Sequence, residues 1–113
     1  MREETRRAAV YIAATKVAAK QKGLVYDHDR GRHTVMSGDS SHAFDHEARA
    51  HITESGGFLY HHGTQSYISL TVNGCSFSGY DYRSKSHFMG SVRGGTVQLY
   101  DYAEGRYFNY NVS

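Results

Sequence analysis

Between Val72 and Val112 the chain is written twice. A shift of twenty residues lays Val72, Gly74, Tyr80, Asp81, Tyr82, Phe88 and Val92 onto Val92, Gly94, Tyr100, Asp101, Tyr102, Phe108 and Val112. A fainter third copy keeps Ile52, Tyr60, Ile68 and Val72 at the same spacing, with His61 and His62 where the later copies have Asp and Tyr. A period of that length holds two strands and their turns, so the unit is a tandem β-hairpin and the chain is constrained to be mostly sheet.

Apolar–polar alternation places strands near 57–61, 65–72, 75–82, 87–92, 95–102 and 106–112, separated by glycine-bearing breaks. Asn73-Gly74 is the strongest two-residue hairpin signal. Upstream, 24–28 and 33–36 flank a turn at 29–32. Residues 41–53 read as one long strand with Phe44, His46, Ala48, Ala50 and Ile52 on a single face, although their alanines also suit a helix.

Residues 2–21 contain no Gly or Pro and are rich in alanine, with Val10, Ile12, Ala13, Ala14 and Val17 forming a stripe at helical spacing. Glu3 and Glu4 near the start and Lys16, Lys20 and Lys22 near the end follow the helix dipole, and Gly23 is the expected stop. The expected architecture is a single α+β domain over 1–113. In it, an N-terminal helix (1–22) packs on one face of an antiparallel β-meander (23–113) built from the hairpin repeats.

Charge is distributed unevenly. Residues 1–22 carry six Lys/Arg against two acids (+4), residues 23–55 three Arg against six acids (−3), and the remainder four basic against three acidic groups (+1). The N-terminus leads into no apolar run of signal-peptide or membrane-span length, so neither secretion nor insertion is expected. The single Cys75 cannot form an internal disulfide and reads as a small buried thiol in a strand, which fits a reducing cytoplasm.

Within the repeats, Phe77, Phe88, Val92, Val97, Leu99, Phe108, Tyr110 and Val112 fall on one set of positions and are expected to meet the helix. The opposite set carries Tyr80, Tyr82, Tyr100, Tyr102 and Tyr107, with Arg83 and Arg106 at the adjoining turns. Tyrosine offers rigid apolar area and a hydroxyl, so this face reads as a recognition surface for another protein or a second copy of the chain. Strand edges offer a further route to pairing.

Two readings from other classes stand beside it. Tyrosines near Arg83, Lys85, Arg93 and Arg106 suit stacking of single-stranded nucleic acid, although Asp81, Asp101 and Glu104 nearly cancel that charge. Eight histidines include His42, His46 and His62, which could form a metal or histidine-dependent catalytic site. No HExxH, GxSxG or phosphate-loop pattern supports an enzyme. The working expectation is a non-catalytic binding or assembly module, homo-oligomeric and cytoplasmic, without a cofactor.

Overall fold

The computed structural model describes residues 1–18 and 23–113, so Lys20 and Lys22 lie outside the described residues. One helix, α1 (Glu3–Ala18), precedes ten strands: β1 (Leu24–Asp27), β2 (Arg32–Gly38), β3 (His42–Asp45), β4 (Ala50–Ser55), β5 (Phe58–His61), β6 (Ser66–Asn73), β7 (Ser76–Asp81), β8 (Ser86–Arg93), β9 (Thr96–Asp101) and β10 (Arg106–Val112). Sequential strands pair antiparallel, and β1 also pairs with β10, with Val25 opposite Val112 and Asp27 opposite Tyr110. The sheet is a closed barrel.

This corrects the expected α+β meander with a helix lying on one face. A single helix is too narrow to cover the apolar face of a long open sheet. Rolling that sheet around the helix buries the same face completely and eliminates both edges.

The helix occupies the lumen. Residues 7–15 are all buried, about two and a half turns with no solvated stripe, which only enclosure on every side permits. Its polar contacts reach around the wall: the Tyr11 hydroxyl donates to the Gly38 carbonyl on β2, Arg7 binds Asp45 on β3, Lys16 binds Glu54 on β4, and Arg6 binds Asp101 on β9. Sixteen residues make a helix about 24 Å long, which matches a molecule of 29 × 28 × 25 Å. Alanines at 8, 9, 13 and 14 keep the helix thin enough to be enclosed.

The inner wall includes Val25, Met36, Ile52, Leu59, Ile68, Leu99, Phe108 and Tyr110. Phe77 lies opposite Gly90 and Phe88 opposite Gly79. A Cβ on Gly90 would fall 2.4 Å from the Phe77 ring, and one on Gly79 would fall 2.6 Å from the Phe88 ring. These two glycines make room for the two phenylalanines.

Two local expectations also change. Residues 41–53 form β3, a turn at 46–49 and β4, so the buried residues are Ala43 and Asp45, then Ala50 and Ile52. The Asn73 hairpin is shifted by one residue: Asn73 pairs with Ser76, leaving Gly74 and Cys75 as the turn and the thiol exposed rather than buried.

Candidate functional site

Five hairpins, rather than three copies of a repeat, make up the wall, and each has the same cross-section. An aromatic residue, a buried acceptor and a second ring occur in succession: Tyr26-Asp27-His28, Phe44-Asp45-His46, Tyr60-His61-His62, Tyr80-Asp81-Tyr82 and Tyr100-Asp101-Tyr102. A third ring follows across the turn, in register with the first, at His33, His51, Tyr67, His87 and Tyr107. Because alternate strand residues face opposite ways, the three rings lie outside while the acceptor lies inside.

The buried acceptors build the turns. One carboxylate oxygen of Asp27, Asp45, Asp81 and Asp101 accepts backbone N–H groups from the following turn, as at Asp29, Glu47, Arg83 and Ala103. His61 does the same with Nδ1, which accepts from the Thr64 N–H at 3.1 Å. Each turn then places a residue in left-handed conformation: Gly31, Arg49, Gln65, Lys85 or Gly105, with φ between 53° and 70°.

Two of the second oxygens reach the helix, where Arg7 meets Asp45 at 2.7 Å and Arg6 meets Asp101 at 3.1 Å. Burial lowers the His61 pKa, because a charged imidazole loses hydration there. The Tyr110 hydroxyl, also inside, is pushed up to about 12 by burial. Helix and side chains fill the lumen, and clefts of about 690 and 540 Å³ open on the outer wall.

That outer wall carries a belt of ring clusters. Tyr80 packs on Tyr82 and His87 with centroids 4.9 and 4.8 Å apart, and Tyr100 packs on Tyr102 and Tyr107 at 4.9 and 4.8 Å. Tyr80 and Tyr100 are half-buried, whereas Tyr82, Tyr102 and Tyr107 are 50%, 54% and 55% exposed. Phe58 and Tyr67 join Tyr82 around an apolar cleft of about 540 Å³. All five predicted tyrosines therefore lie outside, away from the helix.

Two of the predicted cations, Arg83 and Arg106, are engaged with the protein itself. Arg83 donates to the Thr64 carbonyl, and Arg106 holds Asp29 through two bonds at 2.9 and 3.1 Å. That pairing raises the Arg106 pKa and lowers that of Asp29.

The predicted histidines lie on the same wall with different neighbours. His42 Nε2 sits 3.0 Å from His51 Nδ1, His46 Nε2 lies 3.0 Å from the Ser37 hydroxyl, and His62 Nε2 lies 3.3 Å from the Thr53 hydroxyl. Among the described residues, no group of three or more His, Cys, Asp or Glu side chains is arranged to hold a metal ion.

Sequence reasoning missed Tyr26, Phe44 and their partners, together with the apolar contributions of Phe58 and Tyr67. The pattern of aromatic, Asp, then His or Tyr at 26–28 and 44–46 carries the signal once histidine and tyrosine are treated as equivalent. No family model, curated protein or solved structure matches the chain at a significant level.

Proposed function

We propose that the protein is a non-catalytic binding and assembly module whose contact surface is the tyrosine-bearing part of the outer belt. The observation that carries this reading is the exposure of Phe58, Tyr67, Tyr82, Met89, Tyr102 and Tyr107 on a wall whose interior is already filled. Large rings held by a rigid sheet lose little entropy on contact, as interface anchors require. Closure leaves no unpaired strand edge, so recognition uses the face.

The partner is a second copy of the chain or another protein. Nucleic acid is disfavoured because two of the four cations named for it, Arg83 and Arg106, are engaged by Thr64 and Asp29. No helix among the described residues is long and apolar enough to cross a membrane. Exposed Thr71, Ser78, Gln98 and Asn109 make the outer wall unlike a lipid-facing barrel band. A lone exposed thiol fits a reducing cytoplasm.

Light scattering of the purified chain tests the reading. Replacing Tyr82 and Tyr102 together with Ser is expected to weaken association by at least about 2 kcal/mol while lowering the melting temperature little. Replacing His42 and His46 with Gln is expected to leave association intact. A tyrosine double variant that stays fully associated, or a wild-type chain that is monomeric and captures no protein partner, would defeat the proposal.

A further inference from the structure

A second cleft, about 690 Å³, lies on the outer wall over β6, β7 and β8. Its lining combines the Ser69, Thr71 and Ser78 hydroxyls with Met89 and the rings of Tyr80, His87 and Tyr102, and contains no Lys, Arg, Asp or Glu. Thr71 and Ser78 are cross-strand partners, both exposed, and neither hydroxyl has a hydrogen-bond partner among the described residues. The Tyr102 hydroxyl donates at 3.2 Å to the Met89 sulfur, a weak acceptor.

From this arrangement we infer that the cleft binds a neutral saccharide. The absence of Lys and Arg from the lining disfavours phosphates, carboxylates and nucleic acid. An entirely apolar ligand would leave the Thr71 and Ser78 hydroxyls unmatched, and an extended peptide would find no free strand edge for main-chain pairing. A sugar ring presents an apolar C–H face to an aromatic side chain and hydroxyls to the groups around it, so Tyr102 supplies the stacking surface and Thr71 and Ser78 the polar contacts. The cleft has the size of a small-molecule site, enough for a short saccharide.

The cleft shares Met89 and Tyr102 with the proposed contact surface, so a sugar and an assembly partner compete for these two side chains. Backbone amide NMR shifts are followed during titration with glucose, cellobiose, maltose and N-acetylglucosamine, up to about 50 mM. At least one sugar is expected to give saturable shifts centred on Thr71, Ser78 and Tyr102. Tyr102→Ala is expected to weaken binding about tenfold or more. Thr71→Val with Ser78→Ala is expected to weaken it several-fold without changing the melting temperature.

Phe58→Ser serves as the separating control. It alters the adjacent apolar cleft and is expected to reduce association seen by light scattering while the sugar shifts persist or strengthen. No saturable shift with any of the four sugars, or binding that survives Tyr102→Ala undiminished, would overturn the saccharide site whatever the association data show.

Discussion

The two halves of the barrel solve the same geometric problem with different side chains. From β6 onward the hairpin repeat is regular, with Phe88 and Phe108 on the inner wall and tyrosine predominant outside. From β1 to β5 the corresponding inner positions are Thr34 and Ile52, the spacing between buried acceptors contracts, and histidine occupies most of the outer ring positions. Hydrophobic filling dominates the second half, whereas paired charge contributes more to the first. Two pairs of substitutions separate these regimes, and a histidine variant and two turn variants sharpen the comparison.

The largest expected difference is on the inner wall. Phe88→Ala or Phe108→Ala should cost about 3–5 kcal/mol through lost burial and a cavity. Thr34→Ala, at the equivalent position, should cost only about 1–2 kcal/mol, mostly through the lost hydrogen bond to Glu47. Urea unfolding measures both, and equal costs would erase the distinction between the halves.

The buried acceptors provide the next contrast. Arg7→Met leaves the Asp45 carboxylate buried without its 2.7 Å partner and should cost about 3–5 kcal/mol, subject to partial relaxation. In the second half, Asp81 uses its other oxygen only for the Ser84 hydroxyl at 3.0 Å, so Asp81→Asn should cost about 1 kcal/mol or less. Thermal unfolding of both variants at neutral pH checks the ranking.

His61, the sole histidine among the turn-capping acceptors, adds a pH signature. Its folded pKa lies below the ordinary 6.5, so the unfolded chain takes up the proton first. Its contribution is present above pH 6.5 and is lost as pH falls through the folded value. His61→Asn should remove a component of the acid slope no steeper than about 1.4 kcal/mol per pH unit. Denaturation curves from pH 7.5 to 5 test this, and an unchanged slope would place the titration elsewhere.

The smallest effect concerns turn conformation. Lys85 has φ 56° where the first and last turns have Gly31 and Gly105. Lys85→Gly should therefore be nearly neutral or stabilise by a few tenths of a kcal/mol, as relieved strain offsets added unfolded entropy. Gly105→Ala should destabilise by about 1 kcal/mol. Thermal shifts of opposite sign would support the comparison.

Legibility also differs between the halves. The twenty-residue recurrence exposed the strands after residue 57, the inward phenylalanines and the outward tyrosines. Upstream, Phe44 replaces tyrosine, His61 replaces aspartate, and shorter connections destroy the fixed offset. The four-residue turn at 46–49 preserves numerical alternation while reversing which parity faces inward, so Phe44 and Ala50 looked like neighbours on one face although only Ala50 is buried. The run from Ala8 to Ala14 did contain evidence for an enclosed helix, because it has no polar side. Closure depends on β1 meeting β10, a long-range pairing with no local sequence mark. The belt was visible as tyrosines; its histidine portion was obscured by reading those rings as metal ligands.

The β1–β10 seam also governs when the fold can become stable. Val25 and Val112 meet only after every strand from β1 to β10 has been synthesised, so the entropy of closing that loop must be met before the seam contributes. Until then, the apolar helix and the wall intended to surround it both face water. Loss of β10 would do more than shorten the barrel: it would open the wall, expose two strand edges and uncover the helix, turning an incomplete chain into an aggregation-prone species.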